Sequence, residues 1–261
     1  MEFVDTHCHI IPGVDDGPAD ADESVRMGRL AAEDGIKTIV ATPHIVEGIY
    51  SGVDLEERIA SLEAIFIQKG IGIKLVAGAE VPISLCHAGD AATLKKLTIG
   101  GGDFLLVETS GITLEQLFDV VARIRTCGIY PVLAHPERTL FTEDEIGRLC
   151  AGNAAGNVFI QVTAASIEGL FGKKTQKKCM NLVMSGLVHL IATDAHSDTG
   201  RVPLMSKACS IISRRIGDGA AILLQKNPRR VLENKKPQST GLAGRRSGKS
   251  FLSKVGCRMG V

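Results

Sequence analysis

Short apolar runs rich in β-branched residues recur at Glu2–Thr6, Ile36–Thr42, Ile71–Ala77, Phe104–Glu108, Ile129–Ala134, Val158–Thr163 and Leu187–Ala192, each followed by a stretch of helical period. Leu55, Ile59, Leu62, Ile65 and Phe66 form the apolar face of one such helix. Thr113-x-x-Gln116 and Thr142-x-x-Glu145 read as capping boxes, and Gly35, Gly70 and Gly128 stand where helices should stop. Seven alternating βα units predict a parallel sheet with right-handed crossovers. That number and length favour closure into a barrel over an open doubly wound sheet, which stays open as the alternative. No Gly-x-Gly-x-x-Gly or Walker loop follows the first strand, so a nucleotide-binding open sheet has no support. Further helices should end near Leu232, beyond Asn227-Pro228.

Composition agrees with this reading and adds one asymmetry. The 261 residues are 44% apolar and 23% charged but only 4% aromatic, which suits small branched side chains packed between parallel strands and helices of a single domain. From residue 234 onward there are seven Lys/Arg and no acid, so residues 1–233 carry a net charge of −6. An acidic body argues against a nucleic-acid footprint, and the basic stretch 234–261 is expected to be a flexible tail beyond the 1–233 domain. Seven cysteines form no Cys-x-x-Cys pair and no signal peptide is evident, which points to the reducing cytoplasm. No apolar run of about 18 residues offers a membrane span.

The candidate chemistry lies at the carboxyl ends of the predicted strands. Strand one ends in Asp5-Thr6-His7-Cys8-His9, strand two in Thr42-Pro43-His44, strand three in Gly78-Ala79-Glu80, strand four in Glu108, strand five in His135 and strand seven in Asp194-Ala195-His196. In a β/α barrel those ends share one face, so residues far apart in sequence converge. His7 and His9, two apart in extended chain, point their rings to one side, with Cys8 on the other. Asp16, Glu80, Glu108 and Asp194 with His7, His9, His44, His135 and His196 make nine candidate ligands, enough for two or three ions. Imidazole with carboxylate suits Mn, Fe or Zn. His87 and His189 sit off the strand ends and read as structural histidines. Arg138 and Arg201 lie just beyond candidate ligands, where guanidinium forks bind phosphate oxygens, so the expected substrate is anionic.

These motifs, with Val14-Asp15-Asp16-Gly17-Pro18, Ala134-His135-Pro136-Glu137-Arg138 and Phe171-Gly172-Lys173, resemble the PHP (polymerase and histidinol phosphatase) family over residues 1 to about 233. The closer resemblance is to its bacterial protein-tyrosine phosphatases that accompany capsule and exopolysaccharide synthesis. It implies a distorted (β/α)7 TIM-like barrel and a trinuclear centre, commonly manganese, with Fe, Zn, Co or Mg as other divalent ions. It assigns His7, His9, Glu108 and Asp194 to one ion, Glu80, Glu108 and His135 to a second, and Asp16, His44 and His196 to a third. Arg138 and Arg201 would grip the phosphate, and His44 joins them as a candidate catalytic residue. The implied partner is a phosphotyrosine protein, specifically the C-terminal tyrosine cluster of a bacterial tyrosine kinase.

The expected reaction is in-line hydrolysis of a phosphate monoester by a metal-held hydroxide, with the third ion and both arginines neutralising the equatorial oxygens. A phenolate leaving group, of pKa about 10, needs little acid assistance. Cys209 and Arg215 match the Cys-x-x-x-x-x-Arg spacing of thiol phosphatases, but the residues between them contain no glycine and continue a helix. Other readings are a PHP phosphatase of a small metabolite such as histidinol phosphate, a nuclease, an amidohydrolase barrel and a non-catalytic binding module. An amidohydrolase would usually have a lysine near strand four and a strand-six histidine, whereas this chain offers Glu108 and none. A binding module predicts missing ligands, and none is missing.

Overall fold

The computed structural model describes residues 2–45, 52–152 and 157–242. Its strands are β1 (Phe3–Cys8), β2 (Ile36–Ala41), β3 (Lys74–Ala77), β4 (Glu80–Val81), β5 (Phe104–Glu108), β6 (Tyr130–Ala134), β7 (Phe159–Thr163) and β8 (Leu190–Ala192). They form two all-parallel sheets, β1-β2-β3 and β4-β5-β6-β7-β8. Parallel bridges Cys8↔Ala195 and His44↔Glu80 connect the sheets at both seams. The helices are α1 (Ala21–Asp34), α2 (Gly52–Gln68), α3 (Ile83–Ala88), α4 (Ala91–Lys96), α5 (Leu114–Thr126), α6 (Glu143–Gly152), α7 (Ala164–Glu168), α8 (Gly172–Met184), α9 (Ser206–Ile216), α10 (Gly219–Ala221) and α11 (Asn227–Leu232).

Both capping boxes form: Gln116 N donates to Thr113 Oγ1 and Glu145 N to Thr142 Oγ1, each at 3.2 Å, and both side chains reach back to their cap N–H. Gly35, Gly70 and Gly128 are all left-handed, the conformation that ends a helix. The run expected as one strand at Ile71–Ala77 is strand only from Lys74, and the one at Leu187–Ala192 only from Leu190. Glu80 is not the end of the third strand but the first residue of an additional two-residue strand, β4, in the other sheet. The break comes at Gly78: a Cβ there would lie 2.7 Å from Val40 Cγ1, while its N–H donates to Ala41 O. Close approach to β2 turns the chain across the seam.

Strand alternation divides the core. Leu105, Val107, Leu133, Ile160 and Ile191 face the helices in one large apolar cluster. Phe104, Leu106, Val132, Ala134, Phe159 and Leu190 point the other way and pack with Val40, Ile99 and Val231 in a second. Glu108 and Gln161 continue that second face toward the strands' carboxyl ends, so the same period that buries phenylalanine at one level presents polar groups above it.

Beyond Leu232 the chain folds back rather than leaving at once. Asn234 Oδ1 accepts from Asp103 N at 2.7 Å, Gln238 N donates to Asn227 Oδ1 at 2.7 Å, and the Lys236 ammonium stands 4.7 Å from the Tyr130 ring centroid. The expected tail from residue 243 lies outside the described residues. Among those described, no helix is long and apolar enough to cross a membrane, and no disulfide joins the six cysteines.

Candidate active site

Backbone pairing brings the ligand-bearing segments together. His9 N donates to Ala195 O and Asp194 N to His7 O, both at 2.8 Å, which sets strand one's His-x-His beside strand eight's Asp-x-His. Across the other seam, Glu80 N donates to Pro43 O at 3.1 Å and Ile45 N to Glu80 O at 3.3 Å, fixing His44 against Glu80. His135 (φ 36°) and Asp194 (φ 53°) are two of the three described non-glycine residues with positive φ. Each such left-handed backbone costs on the order of 1–3 kcal/mol and persists where the surroundings impose it, which makes two strained candidate ligands a functional signature.

All nine predicted ligands converge. His7 Nε2 lies 3.1 Å from His9 Nε2, 3.2 Å from Glu80 Oε2 and 3.2 Å from Asp194 Oδ1. Glu80 also meets His135 Nε2 at 2.7 Å and His44 Nδ1 at 3.3 Å, and Asp16 Oδ1 meets His196 Nε2 at 3.3 Å. The donor atoms fall into three groups: His7, Glu80, His135 and Asp194; His9, Asp16, His44 and His196; and His44, Glu80 and Glu108. This differs from the grouping implied by resemblance. Glu108 falls with His44 and Glu80 rather than with His7, His9 and Asp194, because Glu80, bound across the seam, stands between the two histidine sets. The floor, with His7, His9, Glu80, His135 and Asp194, is buried, whereas Asp16 is exposed and His44 and Glu108 are half-buried at the rim.

Packing these groups at such distances sets up opposed electrostatic demands. Burial would push His7 and His9 down, but the carboxylates outweigh it: Glu80 and Asp194 raise His7, and Asp15, Asp194 and Glu80 hold His9 well above the usual imidazole range. Burial likewise opposes ionisation of Glu80 and Asp194, yet the facing histidines hold both well below the usual carboxylate range, Arg138 adding to the effect on Asp194. His196 goes the other way, lowered to about 4 by burial and by the nearby His9 and Arg201. The cluster therefore demands positive charge at its centre. Asp194 Oδ1 and His196 Nε2 are buried and face the cluster, and their contacts with His7 and Asp16 at 3.2 and 3.3 Å lack hydrogen-bond geometry, which fits donors meant for cations. Imidazole and carboxylate without thiolate fit Mn, Fe or Zn better than a tetrahedral thiolate site.

Arg138 and Arg201 meet on one atom. Their Nη2 groups lie 2.7 and 2.5 Å from Asp194 Oδ2, and the buried Nε of Arg201 has no hydrogen-bond partner. The Arg138 turn, a 3-10 helix over Pro136–Arg138, is pinned by Lys178 Nζ, which donates to Pro136 O and Thr139 O at 2.9 Å each. Buried Glu137 accepts from Thr163 N at 3.0 Å beneath it.

Three residues not singled out as site residues support the ligands. Gln161 Oε1 accepts from His7 Nδ1 at 2.8 Å, and Asp15 Oδ2 contacts His9 Nδ1 at 2.6 Å while accepting from His44 N at 2.9 Å. Both set imidazole orientation, as partners behind metal-ligating histidines do. Asp5, its carboxyl pushed up to about 6 by burial against the pull of its hydrogen bonds to Thr193, accepts from Thr193 N at 3.0 Å and ties β1 to the Asp194 segment. Gln161 carries a readable signal, a polar residue inside the strand Phe-Ile-Gln-Val-Thr. Asp15 does not, because spacing cannot distinguish it from Asp16. His189 lies apart, its Nδ1 accepting from Ile160 N at 3.1 Å, and buried Cys209 sits on α9 with Arg215.

With this geometry established, sequence comparison identifies the family. The family "Capsular polysaccharide synthesis, CpsB/CapC" matches residues 3–233. The chain belongs to the CpsB/CapC family. Among its relatives, the tyrosine-protein phosphatase YwqE of Bacillus subtilis (strain 168) is 31% identical over 241 residues, covering 89% of this chain and 92% of YwqE. Tyrosine-protein phosphatase CpsB of Streptococcus pneumoniae is 30% identical, covering 88% of this chain and 98% of CpsB. The crystal structures of YwqE and CpsB, described as unique metal-dependent tyrosine phosphatases, include a chain that superposes with a TM-score of 0.79 at 27% identity over 90% of this chain and 96% of that one. A D-hydantoinase structure superposes with a TM-score of 0.54 at 13% identity over 91% of this chain and 72% of that one, a likeness of fold alone. Each of the nine candidate ligand positions in this CpsB/CapC chain carries an imidazole or a carboxylate.

Proposed function

We propose that this CpsB/CapC chain is a metal-dependent protein-tyrosine phosphatase, acting in the cytoplasm on the C-terminal tyrosine cluster of a bacterial tyrosine kinase that governs capsule or exopolysaccharide synthesis. The carrying observation is the convergence of five imidazoles and four carboxylates beside two arginines that share one Asp194 oxygen. Two parallel sheets bridged at both seams support a distorted (β/α)7 barrel, with residues 1–233 as its body and 234–261 as a basic extension. Manganese is the proposed metal, held by His7, His9, Asp16, His44, Glu80, Glu108, His135, Asp194 and His196.

When bound, the ions supply Lewis acidity and acidify water toward neutrality, to a pKa of about 7. The chain's own groups do the rest. Arg138 and Arg201 present guanidinium N–H groups to the phosphate oxygens, and Asp194 holds both in place before the ester arrives. His44, half-buried at the rim with its ring nitrogens toward Asp16 and Glu80, acts through the metal it holds. A phenolate, with its pKa of about 10, leaves with little acid assistance. Phosphate release by the manganese-loaded protein from a tyrosine-phosphorylated peptide and from histidinol phosphate tests the substrate class. Preference for the peptide is expected, and preference for histidinol phosphate contradicts the proposal.

A further inference from the structure

We propose that Phe171 forms the wall against which the aromatic ring of the phosphorylated side chain stacks, so that the turn carrying it sets a preference for aryl over alkyl phosphate esters. This rests on the phosphatase reading above and deepens it by assigning the ring-recognition element.

Phe171 is 36% exposed, and its ring centroid lies 5.0 Å from the Arg138 guanidinium carbon. A phosphate held by Arg138 carries its ester substituent one oxygen away. An aromatic substituent leaving on the Phe171 side can approach that ring, and aromatic pairs attract at centroid spacings of about 4.5–7 Å. A serine or sugar phosphate offers a tetrahedral carbon at the same place and gains little from a flat ring.

Both sides of this corner are held rigid. Left-handed Gly169 (φ 89°) and Gly172 (φ 87°) bracket Leu170 and Phe171 between α7 and α8, with Leu170 N donating to Ala165 O and Gly172 N to Gly169 O, each at 3.0 Å. Gln176 packs against Gly169, within 3.0 Å of where a Cβ would stand, and donates to Ile167 O at 2.9 Å. Opposite, Lys178 of α8 clamps the Arg138 turn by its two carbonyls. One helix thus fixes the spacing of the phosphate fork and the ring wall.

The apolar surface is also unevenly placed. The large apolar residues exposed among the described residues are Ile67, Leu140, Leu170 and Phe171. Leu140 follows Arg138 by two residues and Leu170 adjoins Phe171, so three of the four accompany the phosphate-facing arginine. That distribution fits a surface that receives an aromatic side chain and its flanking peptide.

Calorimetric titration of the manganese-loaded full chain with phenylphosphonate and methylphosphonate isolates the ring, because the two share the phosphonate. Wild type should bind the phenyl compound more tightly. Phe171→Ala should narrow the ratio of affinities about tenfold, the order expected for losing a stacked ring and its buried area, while Phe171→Tyr keeps it. Phe171→Leu, which retains apolar volume, serves if the alanine variant does not fold, and should narrow the ratio by less. An equal ratio in wild type and Phe171→Ala, or no phenyl preference in wild type, overturns the inference. Phosphate release from a phosphotyrosine peptide, measured on the same samples, separates the two failures. A Phe171-dependent ratio without turnover sinks only the phosphatase reading, and turnover with a Phe171-independent ratio sinks only this inference.

Discussion

Gln161 Oε1 lies 2.8 Å from His7 Nδ1, and this contact decides which imidazole nitrogen turns to the cluster. With Nδ1–H donated to the amide oxygen, Nε2 carries the lone pair toward His9, Glu80 and Asp194. Gln161 is itself oriented, its Nε2 donating to Thr6 Oγ1 at 3.0 Å. Replacing Gln161 with leucine should weaken metal affinity about 10- to 100-fold, as loss of such partners commonly does, with little change in the circular dichroism spectrum. Asp15→Asn should act the same way through His9. Metal titration of the two variants checks this, and wild-type affinity in both would show that the contacts are incidental.

Arg138 and Arg201 share one Asp194 oxygen, and Arg138 alone also stands over the Phe171 ring. Arg138 has half-buried surroundings and its second face on Phe171, so truncating it removes charge-assisted hydrogen bonds worth about 1.5–3 kcal/mol. Arg138→Ala should raise KM for a phosphotyrosine peptide about 10- to 100-fold with a smaller fall in kcat. Arg138→Lys should recover only part, because an ammonium cannot form the planar fork. Steady-state kinetics of both variants distinguish this from a purely structural role, in which lysine and alanine would fail alike.

Ligand removal should separate activity from folding. His7→Ala, Glu108→Ala and Asp194→Asn are each expected to abolish turnover while leaving the far-ultraviolet circular dichroism spectrum that of wild type. Asparagine is the cleaner replacement at Asp194 because it tolerates the left-handed backbone there (φ 53°) better than alanine does. Retained turnover in any of the three would exclude that residue from the metal set.

His189 gives the acid stability a component independent of the metal site. Burial holds its imidazole down at about 4, from an ordinary 6.5, and neutral Nδ1 accepts the Ile160 N–H. As pH falls below 6.5 the unfolded chain takes up this proton first, so stability is lost progressively down to about 4. His189→Gln removes the titration. In chelator, the unfolding free energy of wild type relative to this variant should be constant above pH 6.5 and fall toward pH 4; a pH-independent difference in urea unfolding would contradict the assignment.

The sequence pattern made the site more legible than the sheet topology. Histidines and carboxylates at strand ends could be placed because strand period and helix spacing fix where each strand finishes, and all nine meet in space. The seam at Gly78 was not legible: a two-residue strand has too few positions to show alternation, and the break depends on how closely Gly78 approaches Val40 in space. Sharing of ligands depends on the same seam, because Glu80 crosses to the other sheet and meets four histidines instead of closing a third strand. The support from Asp15 is equally a matter of three dimensions, since its carboxylate reaches both His9 and the backbone of His44, 29 residues away.

Metal binding by the converged imidazoles and carboxylates underlies the proposed hydrolysis. Its most direct test is phosphate release from a phosphotyrosine peptide by one preparation measured as chelated protein, after return of manganese, and as Cys209→Ser with manganese. No turnover in chelator, recovery with manganese and full activity of Cys209→Ser are expected. Turnover that survives chelation and disappears in Cys209→Ser would contradict it.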